Sequence, residues 1–265
     1  MLARTSGLQG GAAQAPPGRP ARSRRWLPLL TLVGGIALAG CQAPTFMAFR
    51  SADKQGNSTF NLWSGMVIAA LVVGAFILGL IFWAVLRYRR PRHDTGGLPK
   101  QTRYNLPWEI AYTVTPIFLV VVIFVFTVIV ENTVDATPPH PNVQVRVTAY
   151  RWGWIFDYTG TPVSVHTTST SYPTLMLPEN ETTEISLVSN DVVHELLVPN
   201  FLFGRYAQPG IVNKFDFTPT KTGVYPGHCD EYCGLYHAEM LFNVRVVPPS
   251  TFSSWLSSQE TKATA

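Results

Sequence analysis

Charge is scarce along these 265 residues, only 14% of which are Asp, Glu, Lys or Arg, and it is missing altogether from two long stretches. Residues 62–86 (LWSGMVIAALVVGAFILGLIFWAVL) and 110–130 (IAYTVTPIFLVVVIFVFTVIV) contain none. A soluble core helix keeps a polar face, and neither run has one. At ~1.5 Å per residue each is long enough to cross a ~30 Å hydrocarbon core. The chain also lacks internal repeats, a phosphate-cradling glycine loop and a CxxCH haem-attachment site, which excludes repeat arrays, P-loop chemistry and a covalent c-type haem. Cysteine is nearly absent, with three in all: Cys41, Cys229 and Cys233.

What charge there is follows a pattern. Residues 1–40 hold five Arg and no acid, and Arg19, Arg22, Arg24 and Arg25 precede the short apolar run WLPLLTLVGGIALAG. This predicts a signal peptide over 1–40. The segment LAGC, Leu38 to Cys41, resembles a bacterial lipobox, which implies lipidation at Cys41. In the connection between the apolar runs (87–109), the stretch 87–103 carries Arg87, Arg89, Arg90, Arg92, Lys100 and Arg103 against Asp94 alone, so the positive-inside rule makes it cytoplasmic. Both outer ends are then extracytoplasmic, including the segment 41–61. From Glu131 onward seven basic residues face thirteen acids, a balance near −6. That excludes a nucleic-acid partner and favours a basic one.

A polar, proline-bearing linker occupies 131–141. Over 142–248, VQVRVTAY, VSVHTTST, TTEISLVS, KFDFTP and MLFNVRVV show period-2 or β-branched character, divided by YTGTP, LPEN and KTG. The expected fold is a two-helix transmembrane hairpin (62–86 and 110–130) followed by an all-β domain, an antiparallel sandwich or small barrel. The stretch YRWGWIFDY reads as one alternating strand with Tyr150, Trp152, Trp154, Phe156 and Tyr158 on one face and a bulge or strand end exposing some of them. Residues 249–265 read as a polar tail.

The chemistry concentrates in HCDEYCGLYHAEM, His228 to Met240. Two cysteines with three residues between them in an exported domain permit a disulfide. Cysteine and histidine also suit zinc, although the usual CxxC pairs are missing. A copper-delivery thiol pair on a thioredoxin-like fold would call for alternating strands and helices, which this region lacks. Thiolate, imidazole and thioether together on a β-sandwich form the donor set of cupredoxin copper sites. A second imidazole has to come from elsewhere, and NDVVHELLVPN offers His194. His228, adjacent to Cys229, is expected to point away from the cluster.

The succession YRWGW, DVxHxxxVP and CxExCGxxHxxM, after a transmembrane hairpin and a lipoprotein leader, closely resembles subunit II of cytochrome c oxidase, in its bacterial and most of all its actinobacterial form. The resemblance spans residues 38–248 and implies a cupredoxin-like domain with a binuclear copper A centre. It implies that Cys229 and Cys233 bridge two coppers, that His194 and His237 bind one each, and that Met240 and the Glu231 carbonyl are axial ligands. It further implies that the Glu231 carboxylate reaches a magnesium or manganese ion at the border with subunit I, that Trp152 accepts electrons from cytochrome c, and that Glu109 stands near the mouth of a proton-uptake route. Its partners would be subunit I and other oxidase subunits, membrane lipid, and cytochrome c or a cytochrome c subunit of the bc complex, at the bacterial plasma membrane. Oxygen reduction coupled to proton pumping would lie in the partner, because no multi-histidine site occurs in the apolar runs. Two departures stand out: Gly153 where relatives often carry an aromatic, and Ile211 where many carry a basic residue that contacts haem propionates. The alternatives are a copper A subunit of a nitric-oxide reductase and a membrane-anchored binding lipoprotein with a 229–233 disulfide.

Overall fold

A computed structural model describes residues 45–89, 96–97, 101–137 and 139–264. The expected signal peptide, Cys41 and part of the basic connection lie outside the described residues.

Two long helices come first, α1 (Lys54–Arg87) and α2 (Leu106–Asp135), both longer than the apolar runs they contain. Asp53 caps α1, its side chain accepting from the Gln55 and Gly56 amides. Asn105 and Pro107 open α2, where Glu109 Oε1 accepts the Asn105 amide at 2.9 Å. Both helices are long and apolar enough to cross a membrane, and the most apolar window of each has no residue buried by the rest of the chain. Helices apolar on every side and covered by nothing call for an apolar solvent.

Ten strands follow, in two five-stranded sheets. One has the order β3-β2-β1-β5-β8, with β1 Val143–Tyr150, β2 Gly153–Tyr158, β3 Ser164–His166, β5 Thr183–Ser189 and β8 Asn213–Phe217. The other runs β4-β10-β9-β6-β7, with β4 Thr174–Pro178, β6 His194–Val198, β7 Phe203–Ala207, β9 Gly223–Cys229 and β10 Leu241–Val247. Period 2 decides what faces inward: Val145, Val147 and Ala149 of β1 are buried while Gln144 and Arg146 are exposed. The core between the sheets is aromatic, with Trp154, Phe156, Phe215, Phe217 and Phe242 fully enclosed.

Three expectations need correcting. The sandwich is mixed, because β1 pairs with β5 and β10 with β4 in parallel. The aromatic stretch is a hairpin: Tyr150 pairs with Gly153, so Arg151 and Trp152 form the turn and only Trp154, Phe156 and Tyr158 share the buried face of β2. Residues 249–264 form a helix, α3 (Pro249–Thr264), which buries Phe252 and packs Trp255 against Tyr158 with ring centroids 5.2 Å apart. Phe252, Trp255 and Leu256 fall at i, i+3 and i+4, and this apolar stripe outweighs the serine-rich composition.

The sandwich is stitched to the start of α1. Ala52 N donates to Asn200 O at 2.9 Å, Lys54 N to Thr218 O at 3.0 Å, and Thr220 N to Ala52 O at 2.7 Å. Asp53 Oδ1 accepts Thr218 N at 2.7 Å, and Gln55 Nε2 donates to Asp216 Oδ2. A Cβ at Gly56 would lie 2.0 Å from the Phe201 carbonyl oxygen, so this approach requires glycine. Burial pushes the Asp53 and Asp216 carboxyls up to about 6, against the pull of their hydrogen bonds. A second tie joins Asp135, at the end of α2, to Arg205 on β7 through an ion pair.

Candidate metal centre

The alternation of β6 buries His194, Leu196 and Val198, which turns the histidine into the sandwich rather than towards solvent. Leu196 pairs with Cys229, so the neighbouring strand brings its last residue beside the imidazole. The chain then loops through Cys233 and His237 and returns at Met240, where Cys229 N donates to Met240 O at 3.0 Å and closes the base of the loop.

The donors converge. Cys229 Sγ lies 3.8 Å from His194 Nδ1, 3.9 Å from Cys233 Sγ and 3.3 Å from the Glu231 carbonyl oxygen. Cys233 Sγ lies 3.6 Å from His237 Nδ1 and 3.8 Å from Met240 Sδ. His194, Cys229, Cys233 and Met240 are buried. Ligand distances of about 2.0–2.3 Å around a tetrahedral first-row metal put donors roughly 3.5 Å apart, the spacing seen here. A disulfide needs the sulfurs at about 2.05 Å; both cysteines are free. Burial, followed by the nearby charge of Cys229, pushes the Cys233 thiol up. A cation beside Cys233 would offset that burial and favour its thiolate, and two thiols with imidazole and thioether neighbours form a donor set that fits soft cations.

Asp191 was not singled out by its sequence context, although a carboxylate three residues before a buried histidine was the available signal. Its Oδ1 meets His194 Nε2 at 2.9 Å, leaving Nδ1 for the thiol side. Its Oδ2 accepts from Arg151 N at 2.8 Å and Arg151 Nε at 3.3 Å. Burial would raise this carboxyl, but the His194 contact and the amides of Arg151 and Val192 hold it down at about 2.

Trp152, half-buried at the hairpin turn, donates from Nε1 to the Cys233 carbonyl at 3.2 Å and meets Tyr236 edge-on at 5.0 Å. A Cβ at Gly234, itself at φ +118°, would press on the indole at 3.2 Å, so the ring packs closely against the cysteine loop. A cavity of about 770 Å³ opens beside it, lined by Tyr172, Tyr236 and Glu239 among others. Gly153 has a local reason: a Cβ there would strike the Tyr150 hydroxyl at 2.6 Å and Thr167 at 2.7 Å. His228 turns towards Asp230, its Nε2 3.7 Å from Oδ1. The Glu231 carbonyl joins the cluster. Burial together with the charges of Asp230 and Glu231 raises the Glu195 carboxyl, which marks an acidic group beside the loop. Glu109 is remote in the chain and contacts the α2 cap. Ile211 is exposed on the turn after Gly210.

Residues 167–247 match the family described as "Cytochrome C oxidase subunit II, periplasmic domain". The chain is 33% identical to cytochrome c oxidase subunit 2 of Mycobacterium tuberculosis, over 92% of this chain and 84% of that protein. It is 33% identical to the probable cytochrome c oxidase subunit 2 of Streptomyces avermitilis, over 91% and 88% respectively. Among solved structures, the periplasmic domain of subunit II of cytochrome oxidase from Bradyrhizobium japonicum is 26% identical, covers 48% of this chain and 99% of that one, and has a TM-score of 0.44.

Proposed function

Because the chain belongs to the cytochrome c oxidase subunit II family, we propose that it is the electron-accepting subunit of a haem–copper terminal oxidase. It takes electrons from a cytochrome c at Trp152 and passes them towards haem in subunit I, where oxygen is reduced and protons are pumped. The observation that carries this reading is the convergence of two thiols, two imidazoles and a thioether from β6 and the loop after β9 into one cluster.

A copper pair bound there supplies one-electron redox chemistry with little change of geometry. Cys229, Cys233, His194 and His237 would hold it, with Met240 and the Glu231 carbonyl as its weaker ligands. The protein does the rest. Asp191 holds the His194 ring through Nε2 and keeps Nδ1 directed at the thiols. The Trp152 indole links the surface to the Cys233 backbone through one hydrogen bond, a short bonded path inward. The Glu231 side chain is proposed to reach magnesium or manganese shared with subunit I, and Glu109 to stand at the mouth of a proton route. Residues 1–40 are proposed as a signal peptide and Cys41 as the lipidated first residue of the mature chain. The domain would then lie outside a bacterial plasma membrane, facing cytochrome c or a cytochrome c subunit of the bc complex.

Copper counting and electron paramagnetic resonance on the full-length chain test this. Two coppers per protein and a signal split by both nuclei are expected. One copper or none, with a 229–233 disulfide in the mass spectrum, would leave only a membrane-anchored binding lipoprotein. Oxygen uptake by the assembled complex, rather than nitric-oxide consumption, separates the oxidase from a reductase bearing the same centre.

A further inference from the structure

Two cavities outside the metal centre meet end to end. The first is an apolar cleft of about 580 Å³ between α1 and α2, with Gly65, Ala69, Leu119 and Phe126 among its walls. The second is a polar pocket of about 270 Å³ where both helices reach the sandwich, with Lys54, Thr182, Asp216 and Thr218 among its walls. Ser58 and Thr133 line both, so the two cavities share a boundary.

The dimensions point to the occupant. On α1 the cleft runs from Ser58 to Ala69 and on α2 from Leu119 to Thr133, which at 1.5 Å per residue is about 17 Å and about 21 Å, the polar ends at Ser58 and Thr133 included. One leaflet of a hydrocarbon core is about 15 Å deep. The cleft therefore extends through a single leaflet and stops, whereas a partner helix crossing the membrane would need a groove about twice as long. Its sides are hydrocarbon apart from the polar residues at its upper end. A Cβ placed on Gly65 meets nothing within 4 Å, so there is open space beside the helix.

The polar pocket complements a zwitterion. Lys54 is exposed there and carries an ammonium suited to a phosphate, with the Ser58 and Thr133 hydroxyls lining the same pocket. Asp216, 4% exposed, uses Oδ2 to accept from Gln55, while its Oδ1 has no hydrogen-bond partner. A buried carboxylate oxygen without a donor is costly, and a primary ammonium supplies both the donor and the charge.

We propose that the junction binds a phospholipid with a primary-ammonium headgroup: one acyl chain lies in the cleft, the phosphate meets Lys54, and the ammonium reaches Asp216. This rests on the hairpin spanning a membrane. A phosphatidylcholine headgroup has no N–H to offer Asp216 and fits less well. A phosphatidylglycerol headgroup brings no cation.

The test uses the assembled oxidase in nanodiscs doped with a photoactivatable acyl chain on phosphatidylethanolamine or, separately, on phosphatidylcholine. Cross-linked peptides are then mapped. In the native protein, labelling within 58–69 and 119–133 should be at least fivefold higher with phosphatidylethanolamine. Gly65→Leu, whose Cβ meets nothing within 4 Å and whose side chain extends into the cleft, should remove most of that labelling. Asp216→Asn should bring the two lipids to within about twofold. The copper absorption of each variant shows whether it has folded. Equal labelling by both lipids in the native protein, or labelling insensitive to Gly65→Leu, overturns the proposal, as does cross-linking of a neighbouring subunit from inside the cleft. Outward-facing Phe76 and Phe118 serve as controls. If they too escape both lipids, the membrane-spanning reading falls and takes the proposal with it.

Discussion

Strands β6 and β9 run between two buried polar clusters, and the clusters are built on opposite principles. At one end, His194 begins β6 and Cys229 ends β9, and the donors there make only long contacts to one another, 3.3–3.9 Å between sulfur and its neighbours. At the other end, Asn200 and Phe201 follow β6, Thr220 precedes β9, and the residues that start α1 meet them. There Asp53 accepts three backbone amides, from Gln55, Gly56 and Thr218. Asp53 is satisfied by the chain itself. The sulfurs and imidazoles at the metal end have no such short hydrogen bonds among themselves and stay open to a cation. A buried polar cluster is thus a site or a fastening according to whether its hydrogen-bonding capacity is already spent.

The sharpest way to break this contrast is Cys229→Ser. It should abolish copper binding and the purple chromophore completely while the thermal unfolding of the apoprotein shifts only slightly; a variant that keeps the full spectrum would remove the bridging role. Next comes Gly56→Ala. In an ordinary helix this exchange stabilises by roughly 1 kcal/mol. Here the new methyl meets the Phe201 carbonyl, so the sign should reverse, with faster amide exchange across 51–56 and 218–220 and an unchanged copper spectrum. Unaltered exchange would show that the joint is looser than its contacts imply.

Smaller effects sharpen the comparison. Asp53→Ala should destabilise the joint by about 0.5–2 kcal/mol, and Asp53→Asn, which keeps a capping oxygen, by much less. Met240→Leu conserves volume and should cost under about 1.5 kcal/mol, yet shift the copper resonance and potential. A spectrum identical to the native one would place Met240 outside the ligand set. Last is pH. The Asp53 and Asp216 carboxyls sit above their unfolded values, so their contribution is fully present below about pH 4 and is lost as pH rises through about 6. Exchange protection at Thr218 and Thr220, corrected for the intrinsic rate, should therefore be higher at pH 5 than at pH 8, and Asp53→Asn should flatten part of that slope.

Much of this was legible in the residues. The two uncharged runs predicted both helices, and the spacing of Cys229, Cys233, His237 and Met240 marked one loop. His194 was found because a two-copper donor set asked for a second imidazole; alternation along HELLV explains why it points inward. The hairpin at Arg151–Trp152 stayed hidden because Tyr150, Trp152, Trp154, Phe156 and Tyr158 alternate as smoothly as one strand would. Side-chain period reports which face is buried and says nothing of where a chain reverses or which strand lies beside it. The parallel pairs β1–β5 and β4–β10 escaped for the same reason. The joint at Asp53 was invisible because SADKQGN reads as solvent-exposed polar chain, and only the arrival of Thr218 and Asn200 from distant loops makes it interior.

The two ties between hairpin and sandwich, one at Asp53 and one from Asp135 to Arg205, have a mechanical consequence. A body hung from one point can swivel in every direction; hung from two, it keeps a single axis of rotation. The sandwich is mounted in that second way, so the indole at its hairpin turn travels on a fixed arc relative to the helices. A carrier that docks there meets a platform already aimed, and the search for a productive pose is shared by the donor alone.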